Sequence, residues 1–144
     1  MDPQDRAEAV AAAMLEKDTA SRVLGIVLDQ VAPGLATCSL RVAPDHLNGH
    51  GICHGGVIFT LADTAFAVAC NSYNQKAVAQ HNTISYLKPG RAGALLVAKA
   101  QEVARTGRSG IYDVTVFDGA TRIALFRGAS RQIEGQHVSE PTPD

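Results

Sequence analysis

Apolar positions recur along this chain with two different periods, and the switches between them mark out its elements. The opening run MDPQDRAEAVAAAMLEK is Ala-rich, with Asp2 placed as an N-cap and Pro3 in the first turn. It predicts a short N-terminal helix ending near Lys17, whose role is packing. Val23 to Val31 is rich in Val, Leu and Ile, and Ala-Pro-Gly at 32–34 then turns the chain. In the next run Ala36, Cys38, Leu40 and Val42 alternate with Thr37, Ser39 and Arg41. That is the period of a half-buried strand, so the two runs predict a hairpin. Downstream, VAQHNTISYL closes at Lys88-Pro89-Gly90 and ALLVAKAQEVAR closes near Gly107. The last two runs, GIYDVTVF and RIALFRGASRQI, flank Asp118-Gly119, a pair that tolerates positive φ and marks a second hairpin. The pattern amounts to about six strands.

Between the second and third of these runs the period changes. From Gly55 or Gly56 to about Tyr73 apolar residues occupy almost every face of a helical wheel, from Val57, Ile58 and Phe59 through to Val68, Ala69 and Cys70. A helix apolar all round is covered on all sides, by a sheet or by partner chains. It falls short of the roughly 20 apolar residues of a membrane span and carries Asp63 near its middle, so burial in protein is expected. The predicted fold is α+β: a curled antiparallel sheet around one long buried helix, with a short helix at the N-terminus. Asp63 is the anomaly. Its neighbours three and four positions away are Phe59, Thr60, Phe66 and Ala67, none of them basic, and an unpaired buried carboxylate is costly. Either it lies on a solvent-facing seam or is tied to a backbone amide, or it does chemistry.

Composition narrows the remaining choices. With 144 residues there is room for one ordinary domain, placed at 1–135, and the polar, proline-bearing stretch 136–144 is expected to be a disordered tail. A formal net charge of −1, 5% aromatic residues and scattered cations give no support to nucleic-acid binding. The N-terminus has neither the basic start nor the apolar centre of a signal peptide, which points to the cytoplasm. Cys38, Cys53 and Cys70 are odd in number and widely spaced, as reduced thiols would be. His50, Cys53 and His54 crowd one glycine loop without any zinc spacing, so no metal is expected. Cys53 reads as a packing residue rather than a nucleophile, and GHGICHGG lacks the Lys-Ser/Thr of a P-loop.

The stretch NGHGICHGGVIFTLADTAFAVACNSYN, together with TISYLKPG, SGIYDVTVF and IALFRG, resembles the PaaI-type hotdog-fold acyl-CoA thioesterases of phenylacetate degradation, over about Leu47 to Ile133. The specific core of the likeness is Asn48, His54, Gly55, Gly56 and Asp63. The resemblance implies hydrolysis of phenylacetyl-CoA or hydroxyphenylacetyl-CoA-like esters, with no cofactor, since CoA is part of the substrate. It assigns Asn48 to positioning the thioester and His54 to the helix start, and places the CoA nucleotide near Arg108, with Lys88 and Arg105 as further cations. Thr64, beside Asp63, is a candidate for a substrate hydrogen bond. A non-catalytic acyl-CoA sensor and an acyl-CoA hydratase are the alternatives.

Physical chemistry adds roles for two of these residues. Gly55 and Gly56 stand where a helix presents N–H groups without intrahelical acceptors, a place for a developing oxyanion. Asp63 in ionised form would activate water or attack the thioester carbonyl itself. Yet eight residues of helix separate Gly55 from Asp63 by about 12 Å, too far for one carbonyl to meet both. The reading that follows is an antiparallel helix pair across a homodimer, Gly55 of one subunit facing Asp63 of the other, with two such dimers forming a tetramer in the family's manner.

Overall fold

The computed structural model describes residues 1–141. Helix α1 spans Pro3–Lys17, and the Asp2 carboxylate accepts from the backbone N–H groups of Gln4 (2.7 Å) and Asp5 (3.0 Å), so the cap is the one the sequence signals. The apolar run after it divides. Asp18 caps a second short helix, α2 (Thr19–Leu24), by accepting from Ser21 N–H at 3.0 Å, and Gly25 at φ 84° ends it. Strand β1 therefore begins only at Val27, and Val23 is helical rather than extended. A capped six-residue turn inside an apolar run gives no periodicity to betray it, although its cap and its left-handed glycine were both present in the sequence.

Six strands follow the expected runs: β1 (Val27–Ala32), β2 (Leu35–Arg41), β3 (Ala77–Tyr86), β4 (Leu95–Thr106), β5 (Ser109–Asp118) and β6 (Thr121–Gln132). They form one antiparallel sheet in the order β1-β2-β4-β5-β6-β3. The long helix α3 (Gly55–Asn71) lies in the curl of this sheet and packs against every strand. Leu61, Ala62, Ala65, Phe66, Val68 and Ala69 are at most 1% exposed, so the sheet provides the cover that the all-round apolar wheel required. Phe66 makes edge and tilted contacts with Tyr112 and Phe126 at centroid distances of 5.7 and 5.8 Å. That ring reaches the sheet because residue 128 on β6 is glycine; a Cβ there would stand 2.6 Å from Phe66 Cε2.

The end of the chain differs from the disordered tail expected from its composition. Asn74, in the left-handed conformation at φ 65°, accepts at its side-chain oxygen from the N–H groups of His137 (2.9 Å) and Val138 (3.0 Å). Its amide donates to Val138 O (2.9 Å) and to Glu140 (2.8 Å), and Glu140 pairs with Arg6 of α1 at 3.0 Å. Through Glu140 the segment is thus a strap joining the end of α3 to α1. Residues 142–144 of that expectation lie outside the described residues. Among the described residues no helix is long and apolar enough to cross a membrane.

Candidate active site

Most of α3 is buried; besides Gly55, Val57 and Phe59, half-buried in its first turns, exposed Gly56 and half-buried Thr60, Asp63 and Ala67 fall three or four residues apart, on one stripe. Asp63 is therefore at the open seam of a mostly covered helix. Its Oδ1 accepts from the amide Nδ2 of Asn82 on β3 at 3.1 Å. None of the ion pairs among the described residues includes it. Burial raises its carboxyl above the ordinary carboxylate range; the Asn82 hydrogen bond pulls the other way, and the charge of Asp18 adds to the rise.

At the start of α3, His54 is the N-cap, and its Nδ1 accepts from Gly56 N–H at 2.9 Å. The N–H groups of Val57 and Ile58 are directed to His54 O at 2.9 and 3.2 Å. Gly55 N–H is left without an acceptor among the described residues. The two glycines thus differ: Gly56, expected to bind substrate, spends its donor on His54, and Gly55 alone presents a free one. This also defines what His54 does, since its imidazole uses a lone pair to hold the helix entry. Tyr86 on β3 donates to Gly55 O at 2.7 Å, and a Cβ at residue 55 would meet its Cζ at 3.1 Å.

Asn48 organises the preceding loop. Its side-chain oxygen accepts from His50 N–H (3.0 Å) and Ile52 N–H (3.3 Å), and its own N–H donates to Ile52 O at 2.8 Å. The amide NH₂ of Asn48 has no partner among the described residues, and Asn48 borders a cleft of about 290 Å³ with Ile52, Gly55, Ile58, Tyr86 and Lys88. Asn48, Gly55 and Lys88 are therefore brought together in one protomer.

Thr64, Arg108 and Arg105 are not brought there. Thr64 is 6% exposed and its hydroxyl lies 2.8 Å from Thr60 O and 2.9 Å from the Ser21 hydroxyl, so it ties α2 to α3 instead of meeting substrate. Arg108 occupies the β4–β5 turn beside Gln75 and Gln132, beyond the far end of α3. Arg105 stacks over Tyr73 with its guanidinium carbon 3.6 Å from the ring centroid. Cys53 is 2% exposed, and burial pushes its thiol up to about 11, the opposite of an activated nucleophile. No cluster of metal-ligating side chains occurs among the described residues.

Two residues at the site escaped sequence reasoning, Asn82 and Tyr86. Both project from one face of β3, and the four residue steps from one to the other span about 13 Å, matching the roughly 12 Å from Asp63 to Gly55 along the helix. Their even spacing was visible in the sequence; that β3 lies alongside α3 was not.

A single helix gripped by a curled antiparallel sheet, with one free N–H at its start and a lone carboxylate on its open seam, defines a hotdog-fold domain of the thioesterase class. The Thioesterase superfamily model matches residues 50–124. The chain is 44% identical over 131 residues to the acyl-coenzyme A thioesterase PaaI of Escherichia coli, covering 90% of this chain and 94% of that one. The structure of E. coli PaaI, from the phenylacetic acid degradation operon, superposes with a TM-score of 0.92 at 42% identity, over 94% of this chain and 99% of the other. A Streptococcus mutans protein bound to acetyl CoA superposes with a TM-score of 0.74 at 26% identity, over 78% and 91%. The chain belongs to the Thioesterase superfamily, as the likeness in its sequence implied.

Proposed function

We propose that this protein is a cytoplasmic acyl-CoA thioesterase that hydrolyses phenylacetyl-CoA or hydroxyphenylacetyl-CoA-like aryl esters to the free acid and CoA. The observation that carries the reading is the pairing of an acceptorless Gly55 N–H with an ion-pair-free, half-buried Asp63 on the same helix. In the base mechanism ionised Asp63 takes a proton from water as the water oxygen bonds to the thioester carbon. The carbonyl oxygen gains charge against Gly55 N–H, and the C–S bond then breaks as the CoA sulfur leaves with its electron pair. In the nucleophilic alternative an Asp63 oxygen makes that first bond and water opens the resulting anhydride. The substrate supplies the CoA, so no cofactor enters either route.

The separation of about 12 Å between the two groups requires two chains. The open stripe of α3, made small by Gly56, Thr60 and Ala67, suits a closely approaching second helix, and β3 is an edge strand with Val78 48% and Tyr86 50% exposed. A homodimer covering both completes two sites, and two dimers make the tetramer. Antiparallel pairing of Gly55 with the other Asp63 makes the far end of each α3 overshoot the near end of its neighbour by about 12 Å. Arg108 of one protomer is thereby carried toward the other's cleft, where Lys88 already stands. A phosphate-bearing nucleotide would meet both cations there.

Thiol release from a panel of aryl, short-chain and long-chain acyl-CoA esters tests the reading. The expected result is a kcat/KM for the aryl esters at least about tenfold above the others, a difference of about 1.4 kcal/mol in transition-state binding. Turnover of none of the esters, or preference for an alkyl chain, overturns it.

A further inference from the structure

On β3, Asn82 meets Asp63 with its nitrogen, as it must, because an ionised carboxylate offers only acceptors. The other end of the same amide is the more telling. Asn82 Oδ1 is a buried oxygen with no hydrogen-bond partner among the described residues. A residue selected for packing alone would not carry an orphaned acceptor, since a leucine fills nearly the same space without one. The amide is retained for the contact its nitrogen makes.

We propose that Asn82 is the positioning residue for Asp63: its Nδ2 clamps carboxylate Oδ1, fixes the plane of the group, and leaves Oδ2 as the oxygen turned to the thioester. This rests on the assignment of Asp63 as base or nucleophile. Strand and helix hold the pair rigidly, because Asn82 lies in register with Gly128 of β6 and Tyr86, on the same face of β3, is bonded to Gly55. The clamp also acts on charge. Burial disfavours the Asp63 anion and the amide donor favours it, so Asn82 keeps the group ionised further into acid than its surroundings alone would allow. The other charged group that acts on Asp63 is the Asp18 carboxylate, at the junction of α1 and α2; on α3 burial, with a further push from Asp63 itself, raises the Cys70 thiol to about 12, so it is neutral. Neither donates to it, so the amide contact is the one that substitution of residue 82 removes.

The test compares the pH profile of kcat/KM, the melting temperature and the sedimentation of wild type, Asn82→Leu, Asn82→Asp and Asp63→Asn, with an aryl acyl-CoA as substrate. Asn82→Leu is expected to lower kcat about tenfold or more, to move the acid limb of the profile to higher pH, and to leave folding and assembly intact or firmer. Asn82→Asp, which sets a like charge beside Asp63, moves the limb further the same way. An acid limb that stays in place in both variants overturns the proposal, whether or not the rate falls, since a packing role has no reason to respect the proton. Asp63→Asn separates the two readings. If it is inactive while Asn82→Leu matches wild type, the clamp fails and the thioesterase site stands; if it turns over normally, the assignment of Asp63 fails first.

Discussion

At the residue scale the proposed mechanism depends on an acid kept partly out of water. Because burial is the largest influence on Asp63 and raises its pKa, the folded protein binds that proton more tightly than the unfolded chain does. The stability contributed by the protonated form is fully present below the unfolded value of roughly 4 and is lost as pH rises through the higher folded value. Asp63→Asn is therefore expected to melt at a higher temperature than wild type at pH 7. The gap should close as the pH is lowered through the folded pKa, which thermal denaturation across pH 4 to 7 measures. The same substitution is expected to lower kcat by about 100-fold or more, the usual scale for loss of a positioned base. A variant that is more stable and less active is the signature of a group held at a cost to folding. This much was legible from the sequence, because Asp63 stands alone among apolar neighbours. Its clamp was not: Asn82 is 19 residues away on a different element, and one polar side chain on an edge strand carries no distinguishing pattern.

At the scale of the elements, two contacts decide how α3 is held. Gly128 admits the Phe66 ring, which is already wedged between Tyr112 and Phe126 and has little room to retreat. Gly128→Ala is expected to destabilise by about 1–3 kcal/mol, an overpacking cost readable from the denaturant midpoint. At the other end Asn74 closes the strap over the end of α3. Asn74→Ala removes four hydrogen bonds and leaves a side chain less suited to φ 65°. It should cost about 1–3 kcal/mol and expose the chain beyond residue 135 to limited proteolysis, with the cleaved mass reporting the site. The strands and α3 were readable because alternation and all-round apolarity are local signals. Asp118-Gly119 fixed the last hairpin for the same reason. The strap was not readable, because its polar composition is that of a free tail and its anchor lies 63 residues upstream. Helix α2 was hidden differently, by apolar residues that serve a short helix and a strand equally well.

At the scale of the whole molecule, the proposal that each site is shared between two chains has a consequence no single-chain site can imitate. Gly55→Pro removes the free N–H without breaking α3: the position is the first of the helix, its donor has no intrahelical acceptor, and the preceding residue, His54, already has ψ 134°. The added ring presses on the Tyr86 phenol, so Gly55→Pro is combined with Tyr86→Phe and compared with Tyr86→Phe alone. The proline variant is expected to lose about 100-fold or more in kcat while keeping its far-ultraviolet circular dichroism. Asp63→Asn is expected to be inactive for the complementary reason. Mixed by unfolding and refolding in equal amounts, the two inactive chains should regain activity. Half of the dimers formed are heterodimers, and in each of these one site joins an intact Gly55 to an intact Asp63 while the other joins the two substitutions. Random pairing thus restores about a quarter of the sites of an unmixed wild-type sample, since the intact Gly55 comes from the Asp63→Asn chain, whose Tyr86 is unchanged. Titrating the ratio should trace a maximum at equal proportions. If both groups served the thioester from within one chain, every mixture would remain as inactive as its components, and the shared site would have to be abandoned.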